Sequence, residues 1–419
     1  MIEAVKGTRD ILPEEIGRWR FVEATARDHF ERYGFREIRT PIFESTELFQ
    51  RGIGEGSDIV VREMYTFLDR KGRSLTLRPE ATAPVARAYI EHARHRGAEI
   101  DRLYYVGPMF RYERPQKGRM RQFHQIGVEV LGGDHPAIDA ETLEMLMAFL
   151  ERLGIGGTSL VVNSVGCPVC RPAYREALLS YLRPHAGSLC EDCRRRLETN
   201  PMRGFDCKVP ADRTLMAGAP VIRDHLGAEC REHFARLTAS LDAYGLAYRV
   251  EPRLVRGLDY YRRTAFEVEQ EGLGAQNALL GGGRYDGLVE SLGGPAVPGF
   301  GFAVGLERLV MSLPATAPVA DEAPEVAILV LGEVAMGRAL AVARRLRRAG
   351  RRVVLDPLPD RSLKSQMRRA HDRRARYALL IGEQEAASGR LTLKRMADGR
   401  QASVAEQEVE SGLREMDVG

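Results

Sequence analysis

The 419 residues are 44% hydrophobic and 29% charged with a formal net charge of +4, the composition of a folded globular chain rather than a disordered one. A single small core does not account for that length, so two or three domains are expected. No apolar run approaches the roughly eighteen residues of a membrane span. The start, Met1 to Gly7, has no apolar h-region, so no secretory signal or membrane is expected and the expected address is cytoplasmic.

Apolar positions at helical spacing (Ile16, Trp19, Phe21, Val22, Ala26, Phe30) predict a helix over 16–33 that ends at Gly34. A strand over 35–39 follows, closed by Thr40-Pro41. Leu75 to Glu80 leads to a helix opening near Pro84. Strands over 103–106 and 123–130 flank a Gly- and Arg-rich connection, 113–121, which reads as a mobile hairpin loop. From about 166 to 245 the character changes to cysteines and short helical segments such as 174–182. Strands resume over 248–254 and 265–269, Gly281-Gly282-Gly283 reads as a turn, and 301–305 leads into a helix over 306–313.

Residues 314–324 are Ala/Pro-rich and read as a linker. Beyond them, strands over 326–331, 352–355 and 377–381 alternate with helices over 336–349 and 363–376, the pattern of a small α/β domain. From Arg338 to Arg376 there are 14 Lys/Arg against three acids. Positive charge gathered in one region fits a polyanion partner; a solvated Arg-rich helix face accounts for it as well.

Four stretches carry candidate chemistry. Arg78-Pro79-Glu80-Ala81-Thr82 places a carboxylate and a hydroxyl just before a helix, as acceptors for an ammonium group or as a helix cap by Thr82 with Glu80 solvated. Phe110-Arg111 through Phe123 offers an arginine able to fork onto a phosphate and a ring able to stack on a purine; a surface Arg/Glu ladder is the plainer alternative. Arg256-Gly257-Leu258-Asp259-Tyr260-Tyr261, with 278–288 after it, supplies a charge, aromatic walls and close backbone approach, or core tyrosines and turns. Gly299 to Leu309 ends with Arg308 in the first turn of a helix, within reach of a phosphate. No lysine follows a glycine anywhere in the chain, which removes the usual phosphate-binding loop.

In this order and wording the stretches resemble class II aminoacyl-tRNA synthetases, and within them the histidyl-tRNA synthetase family, over essentially the whole chain. Lys6 to Pro13 looks like that family's N-terminal signature, and Gly34 to Pro41 is similar to class II motif 1, a dimer-interface element. Phe110 to Glu129 resembles motif 2 and Gly301 to Arg308 motif 3. Leu254 to Tyr261 and Leu280 to Asp286 are similar to the two peptides that mark the histidine enzymes. The usual Glu-Gly-Thr stands here as Glu80-Ala81-Thr82, which keeps both side-chain ligands.

The resemblance implies an α+β catalytic domain over 1–320 with a central antiparallel sheet, interrupted by a helical insertion at 166–245. It implies an anticodon-binding α/β domain over 325–419. It implies L-histidine, ATP with Mg2+ and tRNA(His) as substrates and a homodimer as the assembly. Glu80, Thr82 and Gln125 would hold the α-ammonium, Glu129 and Tyr261 the imidazole nitrogens, with Tyr260 beside them. Arg111 and Arg308 would clamp phosphates, Phe123 would stack on adenine, and Arg256 would face the α-phosphate.

The cysteines are read separately. Cys167-x2-Cys170, nineteen residues, then Cys190-x2-Cys193 has the spacing of a four-thiolate zinc site, so these four are candidate structural zinc ligands.

Overall fold

The computed structural model describes residues 2–54, 57–97, 100–115, 118–257, 260–272, 278–318 and 323–418. It divides into two compact units, Met1–Val319 and Ala320–Gly419.

The first helix spans Pro13–Arg32, opening three residues before the apolar periodicity begins. Proline occupies the first turn, Glu14 and Glu15 face the positive end of the helix dipole, and His29 and Arg32 the negative end. Its stripe of Trp19, Val22, Ala26 and Phe30 is fully buried and packs with Phe149, Phe300 and Phe302 in the main core.

That core lies on one face of an eight-stranded sheet. In spatial order the strands are Arg36–Glu37, Asp101–Phe110, Gln122–Leu131, Gly299–Gly305, Ala278–Arg284, Arg262–Gln270, Thr158–Ser164 and Tyr248–Val250. The six inner strands pair antiparallel, as expected, whereas each edge strand pairs parallel. A three-stranded sheet of Phe43–Ser45, Ser74–Leu77 and Tyr65–Leu68 accompanies it.

Two expectations need correction here. Gly281-Gly282-Gly283 is no turn but the middle of the inner strand Ala278–Arg284. A side chain at Gly282 would run into the backbone of Gly301 and Phe302 on the next strand, so the glycines permit close strand approach. The strand expected over 35–39 pairs at only two residues, with Ile38 N–H still donating to Tyr104 O at 2.8 Å; beyond it Arg78 makes the link, its Nη1 donating to Thr40 O at 2.9 Å and its Nε to Pro108 O at 2.9 Å.

The 166–245 region contains helices Arg171–Leu182, Glu191–Thr199, Pro210–Ala217 and Ala228–Ala243. Tyr174, Leu178, Leu179, Leu197, Met216 and Cys230 form a core of their own. The last helix is shared: Cys230 faces that small core, while Phe234, Leu237 and Leu241 belong to the main one.

A buried ion pair fastens the sheet to helix Pro136–Arg152. Arg284 and Asp139 are both fully buried; the guanidinium donates to both Asp139 oxygens, and Thr264 Oγ1 donates to Asp139 Oδ2 at 2.6 Å. Arg284, inside the expected substrate peptide, therefore serves the core.

The second unit is a five-stranded sheet in the order Val353–Leu355, Val326–Val330, Tyr377–Ile381, Arg390–Arg395, Gln401–Ala405. Its first three strands are parallel and alternate with helices Met336–Arg348 and Leu363–Asp372. The antiparallel pair Arg390–Arg395 and Gln401–Ala405 and helix Val409–Val418 extend it beyond the sequence expectation.

Candidate active site

The sheet's other face floors a cleft, and strand periodicity explains how. Side chains two apart on a strand share a face, so Gln125, Gly127 and Glu129 point one way while Ile126, Val128 and Val130 enter the core. The neighbouring strand aligns Gly305, Ala303 and Gly301 with those three, and the next places Gly281 beside Ala303. The floor is thus small residues with two polar side chains rising from it. A Cβ at Gly301 would strike Glu129, and one at Gly281 would strike Arg256. Those glycines make room for the functional groups next to them.

One cavity of about 450 Å³ is lined by Glu80, Thr82, Tyr105, Gln125, Glu129, Arg256, Tyr260, Tyr261 and Tyr285, among others. Glu80 sits at the start of helix Thr82–Glu91, where its carboxylate accepts from the backbone N–H of Thr82 at 2.7 Å and of Ala83 at 3.1 Å. The capping alternative is thereby reversed: buried Glu80 satisfies the helix start, and Thr82 is free to donate from Oγ1 to Glu129 Oε1 at 2.7 Å. The Tyr285 hydroxyl donates to Glu129 Oε2.

Glu129 is 1% exposed. Burial pushes its carboxyl up to about 8, and the charge of Glu80 adds to the rise; the hydrogen bonds from Tyr285 and Thr82 oppose it. Burial likewise raises Glu80, against the backbone N–H groups that favour its charged form. Two polar atoms in this wall, Tyr105 OH and Gln125 Oε1, are buried without a hydrogen-bond partner among the described residues. Unpaired polar atoms in a cleft cost free energy that a polar ligand recovers.

A second cavity of about 270 Å³ adjoins it, lined by Arg111, Phe123, Arg308, Glu307 and Leu279 among others; Arg111, Gln125 and Arg256 line both. The Arg111 guanidinium lies 5.4 Å from the Phe123 ring centroid and is held by Nε donating to Pro79 O at 2.8 Å. Arg308 donates to Ala278 O. Arg256 pairs with Glu267 and lies 5.7 Å from the Tyr261 ring centroid, and its Nε has no hydrogen-bond partner among the described residues. The buried carboxylates Glu80 and Glu129 thus stand in the first cavity and Arg308 in the second, where Glu113, Glu267 and Glu307 also line the wall; Arg111 and Arg256 border both. Leu258 and Asp259, part of the same peptide, lie outside the described residues.

The structure also brings residues that sequence reasoning passed over. Tyr105 and Tyr285 stand at the carboxylate end, and Asp58, Glu63, Arg203 and Asp206 line the same cavity. Alternation along Leu103-Tyr104-Tyr105 sends Tyr104 to the core and Tyr105 to the cleft; that period was available in the sequence. Arg203 and Asp206 come from the helical insertion, and no local pattern marks them.

The cysteine expectation fails as a single site. Cys190 and Cys193 group with Cys207 and Asp212, whereas Cys167 and Cys170 group with Cys230. Sequence spacing pairs the two Cys-x2-Cys units, but the fold gives each a third sulfur from elsewhere.

A sheet with antiparallel inner strands, flooring a cleft in which buried Glu80 and Glu129 adjoin a pocket bearing Arg111 and Arg308, is the arrangement expected of a class II aminoacyl-tRNA synthetase. Comparison with known proteins narrows this. The histidyl-tRNA synthetase family profile matches residues 7–309, and an anticodon-binding domain profile matches 325–416. A histidine–tRNA ligase of Trichlorobacter lovleyi is 52% identical over 403 residues, 96% of each chain. One from Syntrophotalea carbinolica is 50% identical over 418 residues, 100% of this chain and 99% of the relative. The crystal structure of apo Staphylococcus aureus histidyl-tRNA synthetase superimposes with a TM-score of 0.82 at 37% identity, covering 99% of this chain and 100% of that one. The chain belongs to the histidyl-tRNA synthetase family.

Proposed function

We propose that the cleft activates L-histidine with ATP to histidyl-adenylate and pyrophosphate, and that histidine then passes to the 3'-terminal adenosine of tRNA(His). Glu80, Thr82 and Gln125 hold the α-ammonium. Glu129 and Tyr261 take the two imidazole nitrogens, with Tyr260 packed beside them; its ring centroid is 4.7 Å from that of Tyr261. A pocket with buried acceptors rejects side chains lacking those N–H groups, because its own polar atoms would be stranded.

At the other end Arg111 and Arg308 receive phosphates and Phe123 the adenine ring. ATP enters as its Mg2+ complex, and Glu113, Glu267 and Glu307 offer the oxygen ligands a hard cation prefers. The histidine carboxylate oxygen attacks the α-phosphorus, the new P–O bond forms, and the bond to pyrophosphate breaks. Arg256 supplies fixed positive charge where negative charge develops. The position of Arg256, lining both cavities, is the observation that carries this reading. Histidine-dependent exchange of pyrophosphate into ATP by Arg256→His tests it: exchange falls far more than histidine affinity, and normal exchange refutes the role.

The second unit carries the tRNA. Arg344, Arg348 and Lys364 on its two basic helices are exposed and take part in no ion pair among the described residues, which suits RNA phosphates. Arg369 and Arg373 pair with Asp356 instead. A second copy of the chain packs against the three-stranded sheet, whose strands leave Phe43, Phe67 and Leu68 exposed. Among the described residues no helix is long and apolar enough to cross a membrane, and the reaction belongs in the cytoplasm with its tRNA.

A further inference from the structure

The cluster formed by Cys190, Cys193, Cys207 and Asp212 lies in the helical insertion, outside the machinery described above. Its four donor atoms all lie within 4.8 Å of one another. The Cys190 and Cys207 sulfurs are 3.8 Å apart, and Cys207 Sγ is 3.3 Å from Asp212 Oδ2. Bonded sulfurs stand about 2.05 Å apart, so the pair is not a disulfide. Ligands at tetrahedral corners around one zinc, with Zn–S about 2.3 Å and Zn–O about 2.0 Å, place sulfurs about 3.8 Å apart and sulfur and oxygen about 3.5 Å apart. The two spacings fit ligands around one ion.

Charge and orientation agree. Asp212 is 1% exposed and has no Lys, Arg or His ion pair among the described residues. Its two oxygens are aimed by the Cys190 N–H, which lies 3.2 Å from each. Cys190 stands at the start of helix Glu191–Thr199, and its sulfur accepts from the Cys193 N–H at 3.4 Å, which aims it into the cluster. A buried carboxylate beside three sulfur donors, with no cationic side chain paired to it among the described residues, is a donor set that suits a cation.

We propose that Cys190, Cys193, Cys207 and Asp212 bind one zinc ion as a closed structural site. Thiolate donors select zinc over magnesium or calcium, and four protein ligands leave no open position for chemistry. The ion also has a place in the working enzyme. Cys207 directly follows Asp206, and Arg203 and Asp206 line the cleft. Arg203 donates to Gly257 O at 3.0 Å, next to Arg256, and Arg196 pairs with Asp58 at 2.7 Å. Zinc at this point fixes the wall that the insertion adds to the active site.

The test uses the full-length chain. Elemental analysis of the purified protein is expected to find at least one zinc per chain, and zinc-edge X-ray absorption to find a shell of three sulfurs and one oxygen. Cys207→Ser, checked for native circular dichroism, is expected to carry one zinc fewer, while Cys230→Ser, from the other cysteine cluster, keeps that ion. If Cys207→Ser does not fold, the absorption shell of the unmodified protein decides alone. Less than stoichiometric zinc in the unmodified protein, a four-sulfur shell, or a folded Cys207→Ser with undiminished zinc overturns the proposal.

Discussion

Glu129→Gln removes one titrating group from the cleft and keeps its shape, and the consequence for stability follows from the geometry. The Glu129 carboxyl ordinarily titrates at 4.5 and in the folded chain at about 8. Because the folded value is the higher, the folded chain holds this proton more tightly than the unfolded chain does. The stability so gained is complete below about pH 4.5 and is lost as pH rises through about 8. At about 1.4 kcal/mol per tenfold change in proton affinity, the loss is on the order of 5 kcal/mol. For a unit of this size that corresponds to roughly 5–10 °C in Tm. Among the groups facing Glu129, Tyr105 and Tyr285 are pushed well above their ordinary range by burial, and Glu80 is present in both proteins. The assay is thermal unfolding of the ligand-free protein from pH 5 to pH 9, plotted as variant Tm minus wild-type Tm. The difference is expected to climb with pH in favour of Glu129→Gln. A flat or falling difference refutes the reasoning about a protonated carboxyl in the empty pocket.

Two further outcomes concern the rest of the chain. Asp139→Ala leaves the fully buried Arg284 with Asp286 and Gly133 O as its remaining partners and is expected to destabilise the first unit by on the order of 3 kcal/mol, measured by denaturant unfolding; a change below about 1 kcal/mol would mean the pair contributes little. Deletion of residues 325–419 is expected to raise KM for tRNA at least tenfold while adenylate formation persists, measured by aminoacylation beside pyrophosphate exchange; equal loss of both points to a structural role for that unit.

Much of this was legible in the residues because it rests on short-range periodicity. The period of two along Gln125-Ile126-Gly127-Val128-Glu129 marks a strand with one polar face, and Gly299 to Gly305 repeats small residues at the same period. What escaped was long-range partnership. Gly281 to Gly283 look locally like a turn, and only the neighbouring strands and Arg256 show why glycine stands there. Tyr285 was visible beside Arg284, yet which of the two entered the cleft depended on Asp139, far off in the chain, drawing the arginine into the core. The cysteines show the same limit. Spacing proposed one site of four thiolates, whereas Cys207 and Cys230, each remote from a Cys-x2-Cys unit, decide the grouping.

The account stands or falls on the Arg256 guanidinium, which with Arg111 and Arg119 lines both pockets. Rapid-quench measurement of adenylate formation by Arg256→His, with histidine binding followed separately by calorimetry, addresses it without intermediaries. A rate at least about 100-fold below wild type, with histidine affinity within about threefold, is the predicted result. An undiminished rate, or a deficit explained wholly by weakened histidine binding, contradicts it.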